Sequence, residues 1–278
     1  MRTVSVKDVE DILAHLMEEA AYRLPSDYLE ALAGALEREE SPRGRRIISF
    51  LLENARLAEE EAIPTCQDTG MAIVFAELGQ EVHLAGGYLK DAVDEAVRKA
   101  FRPLRKSVVA DPLLRTNTGN NTPAILHVDI VPGDRLRLQV LLKGFGAELM
   151  SRLAMLPATA GAEGVKAFVL EAVEKAGPNA CPPLIVGIGL GGSFDTVALL
   201  AKKALLRPLH TPQPKPHLAQ LEKELLQAIN DLGIGPQGLG GRITALAVHI
   251  ESYPTHLAAL PVAVNFNCSA PRRAEAVI

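Results

Sequence analysis

The sequence predicts an α+β fold, with a helical N-terminal third followed by a mixed or antiparallel sheet flanked by helices. Three observations support this prediction. From Val6 to about Glu61 apolar residues recur every three or four positions, which is the period of an amphipathic helix. Two later segments, Ala124 to Val131 and Arg135 to Leu142, instead alternate with the period of a strand. Helical and strand patterns then mix along the chain, while the helical third contains no βαβ unit.

The individual elements follow from local patterns. Pro25-Ser26-Asp27 and Ser41-Pro42 divide the first run into two or three helices. The later elements, in chain order, are a buried strand (Met71 to Leu78), a helix (Asp91 to about Leu104), a hairpin around Pro132-Gly133-Asp134, a helix (Gly161 to Lys175), a strand (Leu184 to Leu190), helices (Phe194 to Leu206 and Leu218 to Leu232) and strands near Ile243 to Ile250 and Val262 to Phe266. The prolines of residues 207–216 predict an ordered surface loop. The expected organisation is a single domain over 1–278, with a helical part at 1–62 and an α+β part at 63–278.

Composition excludes several classes of function. The chain has 278 residues, a hydrophobic fraction of 48% and a formal net charge of -4, which are typical of a globular protein. No cluster of Lys and Arg interleaves with aromatic residues, so we expect no nucleic-acid partner. No apolar run reaches the roughly 18 to 20 residues that span a bilayer, and the N-terminus lacks a hydrophobic signal core. We therefore expect a soluble, cytoplasmic protein with no membrane partner.

Three cysteines, Cys66, Cys181 and Cys268, are the only ones in the chain, and each lies beside small, polar or Pro residues between segments. Their odd number argues against a disulfide framework and for a reducing compartment. Three thiolates are one ligand short of a closed zinc site or a fully ligated four-iron cluster, so a metal held by them keeps one position open for substrate. The alternative is that these are free cysteines that fill space, since cysteine is among the most buried residue types.

The loop Cys66-Gln67-Asp68-Thr69-Gly70 places a thiol, an amide and a carboxylate within three residues, just before a predicted strand. Cys66 is therefore a candidate metal ligand. Gln67 and Asp68 are candidates for contacting a substrate carboxylate or exchanging a proton with it. The alternative for this loop is an ordinary turn in which Asp68 caps local backbone.

Glycine-rich loops supply further candidates. Residues 187–192 match the dinucleotide-binding pattern G-x-G-x-x-G, but no acidic residue lies between Thr196 and Leu221 to bind a ribose, so we interpret these glycines as allowing close approach of backbone at a helix N-terminus. Residues 117–124, preceded by Arg115, and residues 143–146 combine turn formers with polar donors. Each is either plain loop chemistry or a site for a small oxyacid.

Taken together, Pro64-Thr65-Cys66-Gln67-Asp68-Thr69-Gly70, the Asn117-Thr118-Gly119 loop, Lys143-Gly144-Phe145-Gly146, Ala180-Cys181-Pro182-Pro183 and Cys268-Ser269-Ala270 resemble the iron-sulfur hydro-lyase family. This family includes class I fumarate hydratases and L(+)-tartrate dehydratases. The resemblance covers nearly the whole chain and all three cysteines in order. It implies a [4Fe-4S] cluster held by Cys66, Cys181 and Cys268, whose fourth iron binds the hydroxyl and a carboxylate of a dicarboxylate substrate. Family members then add or remove water across a carbon-carbon bond.

The resemblance also implies acid-base roles. Gln67 and Asp68 match the family's substrate contacts after the first cysteine, and His256 matches the histidine twelve residues before the last one. Asp68 and His256 are thus the candidates for managing the proton of the substrate hydroxyl. An isolated histidine is usually structural or solvated, and only the position of His256 in the same segment as Cys268 singles it out.

Further substrate contacts follow from the same motifs. The family's arginine falls within Leu104-Arg105-Lys106, which assigns it to Arg105, with Arg115 as the alternative. Gly146, with Gly144 beside it, matches the backbone donor position of the family's glycine loop.

The single-chain enzymes of the family carry a second domain with a catalytic threonine and further substrate-binding arginine and lysine residues. This sequence stops at Ile278, so we expect an alpha subunit completed by a beta subunit, in an alpha2beta2-type hetero-oligomer. The leading expectation is reversible hydration of fumarate to L-malate. Dehydration of tartrate by the same chemistry is its nearest alternative, and a non-catalytic iron-sulfur or zinc protein is the alternative from another class.

Overall fold

The computed structural model describes residues 2–278, which form eight α-helices and ten β-strands. The helices are α1 (Val6–Tyr22), α2 (Ser26–Arg38), α3 (Pro42–Glu60), α4 (Leu89–Ala100), α5 (Phe145–Glu148), α6 (Gly161–Ala176), α7 (Phe194–Ala204) and α8 (Pro216–Asp231). The strands are β1 (Arg2–Ser5), β2 (Met71–Gly79), β3 (Val82–Ala85), β4 (Ile125–Val131), β5 (Leu136–Lys143), β6 (Arg152–Pro157), β7 (Leu184–Gly192), β8 (Ala245–Thr255), β9 (Ala259–Asn267) and β10 (Arg273–Val277). The α+β prediction is confirmed, although β1, β3, β6 and β10 have no counterpart among the predicted elements.

The chain divides into two compact units that alternate along the sequence. The first unit comprises Met1–Pro25, Ala55–Phe145 and Arg272–Ile278, and the second comprises Ser26–Asn54 and Gly146–Pro271. The boundary between the units does not coincide with the predicted division at residues 62 and 63. A single domain over 1–278 stays a prediction.

The first unit is built around a four-stranded sheet with the strand order β10-β5-β2-β4, and β1 pairs in parallel with β3. Helix α1 packs against α4 and against β5 and β10. It begins where the Ser5 side chain accepts a hydrogen bond from the backbone N–H of Lys7, which satisfies one of the free amides of the first turn. Buried aliphatic side chains such as Leu13, Val93 and Val140 form the core of this unit.

The predicted hairpin around residues 132–134 is wrong in its pairing. Both strands exist, but β2 lies between them, parallel to β4 and antiparallel to β5. The connection from β4 to β5 passes the end of β2, where the Gly79 N–H donates to the Arg135 carbonyl at 2.8 Å. A Cβ on Gly79 would lie 2.5 Å from the carbonyl oxygen of Gly133. Alternating residues and turn formers predict two strands, but they do not reveal a third strand inserted between the two.

The second unit contains a four-stranded sheet with the order β6-β9-β7-β8. Strand β7 is parallel to β8 and antiparallel to β9. Helix α7 contacts β7, β8 and β9, whereas Val186 and Ile188 of β7 belong to the core shared with α6 and α8. Since successive side chains of a strand point to opposite faces, helices cover both faces of this sheet.

The glycines of residues 187–192 serve the packing of α7 on β7. A Cβ at Gly187 would lie 2.4 Å from the backbone oxygen of Ala201, and one at Gly189 would lie 2.1 Å from that of Val197. The structure therefore confirms that these glycines allow close approach of backbone, although the approach extends along α7 to Ala201 and is not limited to the N-terminus of the helix. Within residues 2–278, none of the helices combines the length and the apolar character required to cross a bilayer.

Candidate metal and substrate site

The loop between α3 and β2 carries Cys66, Gln67 and Asp68 in the first unit. Cys66 is half-buried, and its thiol lies 3.5 Å from the Oε1 atom of the exposed Gln67. The Asp68 carboxylate accepts two backbone hydrogen bonds, from Gly70 to Oδ1 and from Phe145 to Oδ2, both at 2.8 Å. Asp68 therefore caps local backbone, as in an ordinary turn, and in addition is joined to the glycine loop of residues 143–146.

Two glycines bring this loop and the glycine loop together. Gly70 has φ +74°, and a Cβ there would lie 2.5 Å from the carbonyl oxygen of Lys143, so only glycine fits the approach. A Cβ at Gly144 would lie 3.3 Å from Asp68 Oδ2 and 3.4 Å from Arg272 Nη2. The missing side chain of Gly144 thus leaves a space flanked by a carboxylate and a guanidinium group.

A cavity of about 310 Å³ opens beside Asp68, within the first unit, and is lined by Asp68, Gly70, Met71, Ser107, Val108, Val109, Arg115 and Phe145. It brings the alternative arginine, Arg115, together with Asp68. Arg105, by contrast, is exposed and is not among the residues that line the cavity. The backbone of Arg115 has φ +61°, a conformation that is uncommon for an arginine and is often found at functional sites.

The polar loop that follows Arg115 shapes the wall of this cavity. Asn121 is fully buried, accepts a hydrogen bond from the Ser107 N–H at 2.6 Å and donates to the Arg105 carbonyl at 3.0 Å. Asn117 donates to the Lys106 carbonyl at 3.0 Å. The side-chain amides of Asn117 and Asn121 are thus hydrogen-bonded to backbone. Of the two interpretations of this loop, the structure favours a loop stabilised by its own side chains over a binding site for a small oxyacid.

Arg272 is a residue that sequence reasoning missed. It is 3% exposed, and its Nη1 atom donates to the Thr69 carbonyl at 3.2 Å. Its Nε atom is buried without a hydrogen-bond partner, and within residues 2–278 no carboxylate forms an ion pair with it. Burying a charge without an ion-pair partner is costly, so the position of this guanidinium next to Thr69 and Gly144 calls for a functional explanation.

In the second unit, Cys181 and Cys268 lie at the same end of two neighbouring strands, β7 and β9. Cys181 comes shortly before β7 begins, and Cys268 directly follows β9, whose last residue pairs with the second residue of β7. Cys181 is exposed with φ +55°, while Cys268 is half-buried. The N–H of Ser269, the residue after Cys268, donates to the Cys181 carbonyl at 2.9 Å. The structure thus brings the backbones at two of the three cysteines together.

Two further residues, which the sequence analysis did not identify, form hydrogen bonds to the residues that follow these cysteines. The amide of Gln237 donates to the Pro182 carbonyl at 2.7 Å and to Ser269 Oγ at 3.0 Å. The hydroxyl of the buried Tyr28 donates to the Ser269 carbonyl at 2.9 Å. Burial, and then the nearby Cys268 thiol, raise the pKa of Tyr28 above its usual value, so this hydroxyl stays protonated and able to donate. No pattern in the sequence links these distant positions.

Gly146 and His256 also belong to the second unit. A Cβ at Gly146 would lie 3.5 Å from the backbone oxygen of Asn179, two residues before Cys181. His256 is exposed in the turn between β8 and β9, and its Nδ1 accepts a hydrogen bond from the Ala258 N–H at 3.3 Å. The whole of β9 separates His256 from Cys268, which at the usual rise per residue is about 30 Å. Within the unit, His256 and Cys268 therefore lie at opposite ends of the sheet.

None of the three cysteines forms a disulfide; Cys66 and Cys268 are half-buried and Cys181 is exposed. In the described part of the chain, no group of three His, Cys, Asp or Glu side chains is arranged to hold a single metal ion. A four-iron cluster is larger than one ion and takes one thiolate per iron. An all-sulfur donor set in loops fits such a group in chemistry, and its assembly stays a prediction.

Known proteins resemble this chain over nearly its full length. Residues 10–277 match the family model described as fumarate hydratase (Fumerase). The chain is 43% identical over 275 residues to a putative L(+)-tartrate dehydratase subunit alpha from Methanocaldococcus jannaschii, which covers 96% of each chain. It is 38% identical over 276 residues to the L(+)-tartrate dehydratase subunit alpha of Escherichia coli strain UTI89, which covers 97% of this chain and 90% of the relative.

The corresponding subunit of Shigella sonnei strain Ss046 is 37% identical over 281 residues, covering 99% of this chain and 92% of the relative. A family match from residue 10 to residue 277, together with relatives of this identity and coverage, shows the family. The predicted resemblance to this family is thereby confirmed. The chain belongs to the fumarate hydratase (Fumerase) family and is a hydro-lyase.

Proposed function

We propose that this chain is the alpha subunit of an iron-sulfur hydro-lyase that reversibly hydrates fumarate to L-malate, with Cys66, Cys181 and Cys268 holding a [4Fe-4S] cluster. The observation that carries the proposal is the state of the three cysteines: each lies in a loop, none forms a disulfide and none is fully buried. Cysteines that merely fill space are typically buried inside the core. Three ligands also leave one coordination position free for substrate.

The bound cluster supplies a Lewis-acidic iron that polarises the hydroxyl added to or removed from the substrate. The protein supplies orientation and proton transfer. Asp68 is fixed by two backbone hydrogen bonds beside the cavity, and each carboxylate oxygen keeps a second lone pair to accept a proton from the hydroxyl. Gln67 is exposed next to Cys66, so its amide can bind a substrate carboxylate.

For the arginine that binds a substrate carboxylate, the structure favours Arg115 over Arg105, because Arg115 lines the cavity beside Asp68. A guanidinium group binds a carboxylate through two parallel hydrogen bonds, which fixes the orientation of a dicarboxylic acid. Gly144 provides space next to Asp68, and Gly146 provides a backbone N–H in the same loop.

His256 is the second candidate for proton transfer, and its position constrains how it acts. It is at the end of the sheet opposite to Cys268, about 30 Å away along β9. A role at the same cluster therefore requires His256 from a second copy of the chain, which the proposed alpha2beta2-type assembly would supply. If instead His256 has no part in the chemistry, a His256→Gln complex retains full turnover.

The relatives named subunit alpha support a separate beta subunit as partner, and those relatives are named for L(+)-tartrate. The family model is described by fumarate hydratase activity. Both acids are four-carbon dicarboxylates, so the same arginine and iron suit both. We place the complex in the cytoplasm, because an open iron and three thiols require a reducing compartment. No feature of the chain indicates a nucleic-acid or membrane partner.

The test is to reconstitute the complex without oxygen and to measure iron, sulfide and the electron paramagnetic resonance spectrum, adding fumarate, malate or L(+)-tartrate in turn. A three-cysteine cluster predicts about four irons per alpha subunit. Each of Cys66→Ser, Cys181→Ser and Cys268→Ser should lower the iron content. A spectrum that responds to a dicarboxylate supports the open iron, and turnover assays then decide between fumarate and tartrate.

Several results would overturn the proposal. Zinc in place of iron, or a fourth ligand from the protein on the cluster, would remove the open iron on which the proposed mechanism depends. Unchanged iron content in any one cysteine variant removes that residue from the ligand set. If a complex with its full iron content is inactive on both acids, the substrate assignment is wrong but the proposed cluster is not contradicted.

A further inference from the structure

We infer that Gln237 is a positioning residue that keeps the two cysteine loops of the second unit in register for metal binding. This inference rests on the proposed function, because it assigns Cys181 and Cys268 to one cluster. Gln237 lies between α8 and β8, far from both cysteines in sequence. It contacts the residues that directly follow each of them, namely Pro182 and Ser269.

The Gln237 side chain uses its full donor capacity on these two loops. A primary amide has two N–H groups on one nitrogen. One reaches the Pro182 carbonyl at 2.7 Å and the other reaches Ser269 Oγ at 3.0 Å. The backbone N–H of Gln237 donates to the same Pro182 carbonyl at 2.8 Å. A Glu side chain has the same length but no N–H group to donate to either acceptor.

Ser269 is the point where three segments meet. Its N–H donates to the Cys181 carbonyl at 2.9 Å, its carbonyl accepts from the Tyr28 hydroxyl at 2.9 Å, and its Oγ accepts from Gln237 at 3.0 Å. All of its polar groups are therefore bonded to other parts of the second unit. Because Cys268 is covalently joined to Ser269, fixing Ser269 fixes the backbone from which the Cys268 thiol projects.

The backbone at Cys181 and Gln237 is strained, so it depends on surrounding hydrogen bonds such as those of the Gln237 side chain. Both Cys181 and Gln237 have positive φ angles, 55° and 52°, which residues other than glycine rarely adopt. Such conformations cost of order 1–3 kcal/mol each and persist only where surrounding contacts hold them. Without the Gln237 side-chain amide, the backbone bonds from Ser269 to Cys181 and from Gln237 to Pro182 remain, but the only side chain that joins Pro182 to Ser269 in the contacts described above is lost, so the two cysteine loops are held less tightly relative to each other.

The expected consequence is faster loss of metal. Replacing a residue that orients metal ligands typically lowers metal affinity about 10- to 100-fold. We therefore expect Gln237→Ala and Gln237→Glu complexes to release iron to a ferrous chelator about 10- to 100-fold faster than wild type. Ser269→Ala removes one of the two acceptors and should give a smaller increase. Gln227→Ala is the matched control, since Gln227 bonds only to Asp231 on the exposed face of α8.

The experiment follows the chelator reaction on anaerobically reconstituted complex by absorbance, and records the melting midpoint of each cluster-free protein alongside it. Faster iron release from both Gln237 variants, with Gln227→Ala matching wild type, supports the positioning role of Gln237. Equal release from wild type and both variants overturns it. So does a lowered melting midpoint of the cluster-free protein with unchanged release, because that is a purely structural role. If wild type itself forms no cluster, it is the proposed function that has failed.

Discussion

The carboxylate of Asp68 accepts a hydrogen bond from the backbone N–H of Phe145 at 2.8 Å, which joins two loops that are 77 residues apart in the sequence. The other carboxylate oxygen is held by the Gly70 N–H at 2.8 Å. Asp68 therefore has a fixed orientation before any substrate arrives, as an acid-base residue requires. One side chain both shapes the site and is proposed to act in it.

Replacing Asp68 by Asn separates these two roles. The Asn amide nitrogen would face one of the two N–H donors, so one hydrogen bond to a charged group is lost at about 1.5–3 kcal/mol of folding stability. If Asp68 transfers a proton, turnover falls about 100-fold or more in addition. The measurements are kcat on fumarate and on tartrate, and the free energy of unfolding in urea.

The matched control is Asp111→Asn. A single oxygen of Asp111 accepts both of its backbone hydrogen bonds, from Leu113 at 2.8 Å and Leu114 at 2.7 Å, so Asn keeps them. This variant should retain stability and turnover. Full turnover in Asp68→Asn, with only its stability reduced, would leave Asp68 as a structural cap and remove it from the proposed mechanism.

Gly70 and Gly119 form a natural pair for testing the approach of the two loops. Both have nearly the same positive φ, +74° and +75°, but a Cβ at Gly70 would lie 2.5 Å from the Lys143 carbonyl, whereas one at Gly119 meets nothing within 4 Å. Alanine at Gly119 should cost about 1–2 kcal/mol for the backbone conformation alone. Alanine at Gly70 should cost clearly more and should reduce dicarboxylate binding, as measured by KM. Equal losses at both positions would contradict the close approach.

Gly189 and Gly34 test the function of the G-x-G-x-x-G segment. A Cβ at Gly189 would lie 2.1 Å from the Val197 oxygen, so Gly189→Ala must push α7 away from β7 and should lower stability by several kcal/mol. Gly34 lies inside α2 with open space around it, and Gly34→Ala should raise stability by about 1 kcal/mol. Urea unfolding measures both. A stable Gly189→Ala protein would require another role for this segment.

Glu39 makes the second unit sensitive to acid. Its carboxylate is 2% exposed and accepts backbone hydrogen bonds from Ser41 at 2.9 Å, Arg242 at 3.0 Å and Ile243 at 2.8 Å. Burial acts to raise the pKa of Glu39, but the backbone N–H groups outweigh it and hold the pKa below the usual value. The native state therefore binds the proton less readily than the unfolded state, whose Glu pKa is about 4.3.

It follows that the stabilisation by Glu39 is fully present above about pH 4.3 and is lost as the pH falls through the lower native pKa. Glu39→Gln should lower the free energy of unfolding by about 1.5–3 kcal/mol at pH 7 and should flatten its decline in acid. Glu40→Gln is the control, because Glu40 is 77% exposed and pairs with Arg242 at 3.1 Å. An acid profile that is unchanged by Glu39→Gln contradicts this account.

Local pattern predicted most elements, because apolar spacing reports directly on helices and strands. It failed for the hairpin, because β2 pairs with both β4 and β5. The local spacing of apolar residues does not show that a third strand lies between these two. It also missed β10. This strand is short, its residues 273–277 are half-exposed or exposed, and its partner β5 is more than 100 residues earlier in the sequence. Partners that are distant in sequence leave no local signal.

The same limit applies to the site. Cys66, Asp68 and the glycine loop were found because their chemistry is concentrated in short motifs. Arg272, Gln237 and Tyr28 were not, because each acts through a partner on a remote segment. His256 shows the converse limit: it is only twelve residues from Cys268 in sequence but a whole strand away in space, so its role in the chemistry stays a prediction.

Because β10 pairs with β5, the sheet of the first unit cannot be completed until residues 273–277 have been made. The ribosome completes residues 146–271, most of the second unit, before it releases the strand that finishes the sheet of the first. Long-range pairing of this kind is slow, because the chain must close a large loop before any contact compensates for it. Until then, the edge of β5 that pairs with β10 lacks its partner strand, and an unpaired strand edge of this kind favours association with other chains.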